Sequence, residues 1–323
     1  MSLDAPPTRT PWIQTPCLRS AALSLEAGCN IYLKLENLQP SGSFKSRGIG
    51  HLMSRAISTH GPSKPIHFYC SSGGNAGLAC ATAAISLQRP ATIVVPLSTS
   101  PLMIEKLKTM GADVVQIGDH WSEADKYLRE QLLEKDKDGV YVPPFDHEDV
   151  WAGHSTLIEE LEEQMSGSGA GRLEDGDRRA VKVLAMETAG ADSLAKALEK
   201  GELVTLPAIT SIATSLGAAR VCQKAFDWGQ RRDVTSYVSS DAEAAMGCVR
   251  LADDERIMVE AACGVNVAPI YTGKLPSILF PELSKEEFGK LNIVVVVCGG
   301  SNVTLAILEK YRIGYAKDVV MSK

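Results

Sequence analysis

Between residues 31 and 135 the chain alternates short apolar runs with longer stretches of helical period. Residues 31–35 (Ile-Tyr-Leu-Lys-Leu) predict a strand, 37–42 a turn and 46–60 a helix. The pattern then repeats. Residues 66–70 predict an apolar strand running into Ser71-Ser72-Gly73-Gly74-Asn75-Ala76-Gly77, and 78–87 is alanine-rich and helical. Residues 91–95 predict a strand, 100–110 a helix, 113–116 a strand and 122–135 a helix. Short buried strands alternating with helices imply parallel pairing through right-handed crossovers. This stretch therefore predicts an open α/β sheet.

A second lobe is predicted from residue 142, where Pro143-Pro144 breaks the chain before Phe145-Asp146-His147. Its first helix, 151–165, places Leu157, Ile158, Leu161 and Met165 on one face, with Glu159, Glu160, Glu162 and Glu163 mostly outside. Strands are predicted at 181–187, 205–206 and 293–298, and helices at 193–200, 217–228, 241–253 and 303–311. The run that follows Asn292 is continuously apolar, which predicts a strand covered on both faces and hence a central one. Residues 166–180, small and polar, interrupt the pattern.

Composition narrows the class. A chain of 323 residues, 45% apolar and 22% charged, suits a soluble globular protein with a real core and room for two modest lobes. A net charge of −6 argues against a nucleic-acid partner, since no Lys/Arg stripe is available to displace phosphate counterions, and acidic partners are equally disfavoured. The cysteines at 17, 29, 70, 80, 222, 248, 263 and 298 include no C-x-x-C pair and lie mostly among apolar or small residues. They read as reduced thiols of a cytoplasmic protein. The first residues show neither a signal peptide nor a transit peptide, and no apolar stretch has membrane-spanning length, so no membrane partner is expected.

Three segments carry candidate chemistry. Lys45 stands in Ser41-Gly42-Ser43-Phe44-Lys45-Ser46-Arg47-Gly48, a small-residue turn that opens a helix. Such a turn can present an amine at the helix N-terminus, where it could hold an aldehyde; taken alone, the reading as a surface lysine in a capping turn outweighs it. The loop 71–77 lies between a buried strand and a helix, where backbone N–H groups and the positive helix end can receive a carboxylate, although any strand-to-helix turn needs small residues. It has neither a Gly-Lys-Ser/Thr ending nor G-x-G-x-x-G spacing, which disfavours a nucleotide loop. Cys298-Gly299-Gly300-Ser301-Asn302 again follows a buried strand directly; the alternative there is a structural cysteine before a tight turn.

Taken together, in this order and at these separations, the segments resemble the serine/threonine dehydratases, the serine dehydratase and serine dehydratase-like enzymes. Leu33 to Lys45, Ala91 to Pro96, Pro143 to His147, Ala185 to Thr188 and Asp253 to Arg256 also resemble segments of that family, so the likeness covers most of residues 10–305. The resemblance implies the α/β fold of pyridoxal-phosphate (PLP) enzymes of fold type II, like the tryptophan-synthase β-subunit, with two open twisted lobes and the cofactor between them. It implies a large cofactor domain of residues 1–41 plus 142–323 and a small substrate-binding domain of 42–141. Lys45 would be the Schiff-base lysine and the base that takes the substrate α-proton. Phe44 and Ser215 would sandwich the pyridine ring, Asn75 would bond the 3′-oxygen, and Cys298 would face the pyridine nitrogen, with Ser301 also at the cofactor. Ser72, Gly73, Asn75 and Ala76 would receive the carboxylate of a small amino-acid substrate; Gly73 matches the serine dehydratase-like branch, where the liver branch has alanine. A neutral thiol at the pyridine nitrogen weakens the ring as an electron sink and favours β-elimination over racemisation or transamination. Glu187, with carbonyls of Ala191 and Leu216, resembles the family's monovalent-cation site, suited to K+. A homodimer serving amino-acid catabolism is implied likewise.

One family element is missing. Relatives have a strand, a loop of four glycines that binds the cofactor phosphate, and a helix between the helix near Met165 and the strand starting at Val181. Here only residues 166–180 stand in that place. These read as a flexible linker, or else as a substitute phosphate cradle from Ser166 to Gly171 with Arg172 as charge partner. Loss of a central strand threatens folding unless the sheet closes up, because several ladder hydrogen bonds at about 0.5–1.5 kcal/mol each weigh against a total stability of about 5–15 kcal/mol. The leading expectation is thus an L-serine/L-threonine ammonia-lyase giving pyruvate or 2-oxobutyrate plus ammonia. The alternative is a catalytically impaired paralogue, splice form or truncated gene model acting as a binding or dimer-modulating subunit. A cysteine-synthase-like activity fits the fold but not Cys298, since those relatives carry a serine at the pyridine nitrogen.

Overall fold

A computed structural model of the chain describes residues 10–166 and 181–320. The linker or phosphate cradle expected at 166–180 lies outside the described residues except for Ser166, which ends a helix. Nine strands are described: β1 Cys17–Ser20, β2 Asn30–Lys34, β3 His67–Cys70, β4 Ala91–Val95, β5 Asp113–Gln116, β6 Gly139–Tyr141, β7 Val183–Thr188, β8 Val234–Ser239 and β9 Asn292–Val296. They fall into two compact units, one of Met1–Thr15 with Glu36–Glu160 and the other of Pro16–Leu35 with Leu161–Lys323.

The first unit carries a four-stranded sheet in the order β5-β4-β3-β6, parallel throughout. All five residues of β4 are buried, as a central parallel strand requires. Helix Asn75–Leu87 buries most of its alanines and packs on helix Lys45–His60, whose Ile49, Leu52 and Met53 join Phe68, Ile93 and Val95 in one core. The stretch predicted as a helix over 122–135 is an α-helix to Tyr127, a π turn over Leu128–Leu132 and a 3-10 turn over Leu133–Lys135.

The compact units are cut elsewhere than the expected domains, since 1–15, 36–41 and 142–160 lie with the first unit. The physical tie is Arg47. Its guanidinium is fully buried and donates to Glu36 through Nε (2.7 Å) and Nη2 (2.8 Å), and to Glu160 through Nη1 (2.6 Å) and Nη2 (2.7 Å). Glu36 also accepts from Thr15 Oγ1 at 2.5 Å. One side chain thereby joins residue 36, the start of helix Lys45–His60 and helix Glu148–Ser166. The two helices cross closely, because a Cβ on Gly153 would lie 2.5 Å from the Arg47 carbonyl oxygen and 2.7 Å from Gly48 Cα.

The second unit holds its strands in two pieces. One is the three-stranded sheet β1-β2-β9, with β1 antiparallel to β2 and β9 parallel to it; the other is the parallel pair β7-β8. The expectation that 293–298 is a central strand covered on both faces is corrected. Among the described residues β9 pairs with β2 alone, and of its five residues only Val295 is buried. An apolar run records what a strand could bury, and a second neighbour for β9 is not among the described residues. Residues 205–206 form no strand; Leu206 instead donates its N–H to the Ala219 carbonyl (2.7 Å). The helix predicted at 217–228 starts only at Gln223, after a 3-10 turn over Thr214–Leu216 and a loop. Strands β1, β6 and β8, helix Ala21–Ala27 and the short helices between Ala261 and Gly289 were not predicted. No described helix is long and apolar enough to cross a membrane.

Arg47→Ala would strand two carboxylates in the interior, and removing one partner of a buried pair costs about 3–5 kcal/mol. Urea unfolding should show a loss of at least ~3 kcal/mol, and less in the triple variant Arg47→Met, Glu36→Gln, Glu160→Gln, which leaves no charge behind.

Candidate active site

In the first unit Lys45 is the first residue of helix Lys45–His60. No side chain caps that N-terminus; the approach is held by Ser46, whose hydroxyl accepts the Ser41 N–H (3.1 Å) and donates to Ser41 Oγ (2.7 Å), around Gly42 at φ +77°. The Lys45 amine donates to the Pro144 carbonyl (2.7 Å) and lies 5.2 Å from the Phe44 ring centroid. On Phe44 packs His154, with ring centroids 4.9 Å apart. Both nitrogens of this buried imidazole lack a hydrogen-bond partner. Burial, then the charges of Lys45 and Arg47, push its pKa down to about 3, so it stays uncharged at neutral pH.

The loop predicted to take a carboxylate also lies in this unit, at the N-terminus of the 13-residue helix Asn75–Leu87. Ser72 Oγ accepts the Gly74 N–H (3.3 Å), and Asn75 and Ala76 open the helix. Gly77 is obligatory, since a Cβ there would sit 1.8 Å from the Ser72 carbonyl oxygen. The loop is anchored by a network the sequence reading missed. Asp125 accepts from Ser71 Oγ (2.6 Å), Tyr141 Oη (2.7 Å) and Arg129 Nε (2.8 Å). Burial alone would raise the Asp125 pKa, but these three donors and the Arg129 charge hold it below the ordinary carboxylate value.

The remaining predicted residues lie in the second unit. Cys298 is partly exposed and begins a turn whose Gly299 and Gly300 take φ of +86° and +103°. Its thiol accepts from Asn266 Nδ2 (3.8 Å), which also donates to the Val296 carbonyl (3.0 Å). The hydrogen bond with Cys263, then burial and the charges of Cys263 and Glu260, raise the Cys298 pKa well above its usual value, so the sulfur stays a neutral thiol. Buried Glu260 accepts the Asn302 N–H (3.2 Å) and fills the space a Cβ on Gly300 would need, closing the turn that carries Ser301. Ser215 and Leu216 share the 3-10 turn Thr214–Leu216. Just before it, Ser211 donates to Asp241 Oδ1 (2.5 Å) and bonds Thr188 Oγ1 (2.7 Å).

Glu187, the expected cation ligand, caps helix Ser193–Lys200. Its oxygens accept the N–H groups of Leu194 (2.9 Å) and Ala195 (2.8 Å), while burial leaves its pKa raised. Ala191 is buried nearby, bridged to Thr188. No cluster of three or more His, Cys, Asp or Glu that could hold a metal occurs among the described residues. The structure thus gathers Phe44, Lys45, Ser72, Gly73, Asn75 and Ala76 in one unit, and Glu187, Ala191, Ser215, Leu216, Cys298 and Ser301 in the other. Of the supports that were missed, Arg47 and His154 had a signal in the helix-interior glycines 48 and 153; Asp125, Glu260 and Asp241 had none.

Comparison with known proteins agrees with this chemistry. The pyridoxal-phosphate dependent enzyme family matches residues 9–299. A human protein named serine dehydratase-like is 43% identical over 322 aligned positions, covering 93% of this chain and 94% of its own. A bovine L-serine dehydratase/L-threonine deaminase is 42% identical and covers 92% of this chain and 93% of its own. Among solved structures, a fungal L-serine ammonia-lyase from Rhizomucor miehei superposes with a TM-score of 0.84 at 34% identity, covering 95% of this chain and all of its own.

Asp125→Asn should cost about 1–3 kcal/mol, the range for weakening a buried hydrogen-bonded group. Because its folded pKa is depressed, the stabilisation by Asp125 is complete above the unfolded Asp value near ~3.9 and is lost as pH falls through the lower folded value. Denaturation of both proteins between pH 7 and 2 should show a constant stability gap down to about pH 4 that closes below it.

Proposed function

The chain belongs to the pyridoxal-phosphate-dependent enzyme family, and from that membership we propose that it is an L-serine/L-threonine ammonia-lyase, releasing pyruvate or 2-oxobutyrate and ammonia. The observation that carries this reading is the setting of the Cys298 thiol, which accepts from Asn266 Nδ2 (3.8 Å) and donates to the Ala262 carbonyl (3.9 Å), beside Cys263 and Glu260, neighbours that raise its pKa and disfavour a thiolate. A neutral partner suits an uncharged pyridine nitrogen, and the amine of Lys45, hydrogen-bonded to a backbone carbonyl, suits an aldehyde. The chemistry of each residue set, taken in its own unit, therefore suits the part of the cofactor it would face. Lys45 would hold the aldehyde, Phe44 and Ser215 the ring faces, Asn75 the 3′-oxygen, and Cys298 with Ser301 the nitrogen side. When bound, the cofactor supplies the electron sink that makes the substrate α-proton acidic.

The chain's own residues do the rest. N–H groups of the Ser72–Ala76 loop, at the positive end of helix Asn75–Leu87, orient the substrate carboxylate. Lys45 Nζ takes the α-proton, and its place at the first helical position fixes where that proton is received. The β-hydroxyl leaves as water with the equivalent of the α-proton, and the unsaturated amine released reacts with a second water to give the keto acid and ammonia. K+ at the Glu187 carboxylate and the carbonyls of Ala191 and Leu216, a homodimer, a cytoplasmic location and a role in amino-acid catabolism complete the proposal. The eight free cysteines support a reducing compartment; the other points rest on family resemblance.

A second reading is favoured by β9, which pairs with β2 alone among the described residues. An alignment of 322 positions that draws on 93% of 323 residues, about 300, leaves some 20 positions of the human relative without a counterpart here. A chain lacking the strand and glycine loop that relatives place before β7 would hold the phosphate weakly and act as a binding or dimer-modulating subunit.

The purified chain incubated with PLP should develop a visible absorption band that Lys45→Ala abolishes, and the same variant should lose keto-acid release by ~10³-fold or more. Absence of the band would sink the enzyme reading. A band without keto acid from L-serine or L-threonine would favour the second reading.

A further inference from the structure

Position 73 of the loop 71–77 packs against two residues outside the loop, Thr99 and Val95. A Cβ on Gly73 would lie 2.8 Å from Thr99 Cγ2, 2.9 Å from Thr99 Oγ1 and 3.2 Å from Val95 Cγ1. At Gly74, by contrast, only Ser72 Oγ comes within 4 Å, at 3.8 Å, and at Gly77 the obstacle is backbone. Position 73 is thus where a neighbouring side chain decides what the loop can carry. Val95 cannot yield, because it is buried at the end of the fully buried β4. Thr99 has little freedom either. It is β-branched and stiff at χ1, its N–H is bonded to the Pro96 carbonyl (3.0 Å), and the next residue, Ser100, caps helix Pro101–Thr109. A side chain at 73 would therefore lift the loop rather than push Thr99 aside.

We propose that Thr99 is a specificity-determining residue: paired with Gly73, it sets how deeply the carboxylate-binding loop sits and so how much room an amino-acid substrate has at its β-carbon. This rests on the reading of the loop given above. The loop's N–H groups fix the carboxylate, so any lift carries the whole substrate with it. A β-methyl group, which distinguishes threonine from serine, meets the displacement first.

The test uses the PLP-loaded chain and two amino acids without a β-hydroxyl leaving group, L-alanine and L-2-aminobutyrate, which differ by one β-methyl and bind without elimination. Affinities come from the absorbance change on titration, and Tm is measured for each variant. Gly73→Ala should weaken L-2-aminobutyrate at least ~3-fold more than L-alanine and lower Tm; adding Thr99→Ala should bring the affinity ratio back to within ~2-fold and recover most of the Tm. Thr99→Ala alone, which introduces no clash, should shift the ratio ~2–3-fold towards L-2-aminobutyrate. Independent effects of the two substitutions, or coupling in Tm with an unmoved affinity ratio, would overturn the role of Thr99. If the unmutated chain bound neither amino acid, the reading of the loop would fail and the specificity role with it; binding by the unmutated chain with an unmoved ratio would sink the Thr99 role alone.

Discussion

The buried fork of Arg47 between Glu36 and Glu160 is the constraint from which the lysine half of the site follows. Both carboxylates are engaged by two guanidinium nitrogens at 2.6–2.8 Å, the planar geometry that makes arginine rather than lysine suited to such a place. Burying three charges is costly, and burial alone would drive the arginine pKa down; the two carboxylates reverse that and hold it above its ordinary value. What the fork provides is uniqueness of arrangement. It joins Arg47 to Glu36, 11 residues earlier, and to Glu160, 113 residues later, and Lys45 lies two residues before it on the same helix. The position of the amine is therefore set by hydrogen bonds of fixed direction as well as by apolar packing.

The Lys45 segment and the Cys298 turn, each within its own unit, have different electrostatic settings. Around Lys45 the structure places an imidazole kept uncharged by burial and by the charges of Lys45 and Arg47, an aromatic ring and a carbonyl. Around Cys298 it places another thiol and a carboxylate, which disfavour a thiolate. Two buried ring nitrogens without partners on His154 cost stability, of the order of 1–3 kcal/mol each. A glutamine or leucine would not supply the same flat uncharged face to Phe44.

Much of the first unit was legible in the sequence because its signals are local. β4 and β5 lie where the apolar runs placed them, and the lysine turn and the 71–77 loop are each contained in eight residues or fewer. The supports were illegible for the opposite reason. Asp125 reaches Ser71 across 54 residues, Glu160 reaches Arg47 across 113 and Glu260 reaches Asn302 across 42, and no periodicity encodes such a meeting. β8 escaped notice because Val-Thr-Ser-Tyr-Val-Ser is only half apolar and half-buried. β9 misled for a related reason, since its composition reports the burial it is capable of and not the neighbours it has.

That β9 pairs with β2 alone among the described residues bears on how the thiol is held. An edge strand with an apolar run is ordinarily a weak support, prone to fray or to pair elsewhere. Cys298 follows it by two residues, yet the turn is pinned independently of a second strand. The Val297 N–H donates to the Lys34 carbonyl (2.9 Å), Asn266 takes both the Val296 carbonyl and the thiol, and Glu260 clamps the Asn302 N–H beyond the glycines. Those partners come from β2 and from residues 260–266, none of which belongs to the stretch 166–180. The Lys45 amine is thus held by the Pro144 carbonyl and the Cys298 turn by Lys34, Asn266 and Glu260, so each segment is fixed by partners among the described residues of its own unit.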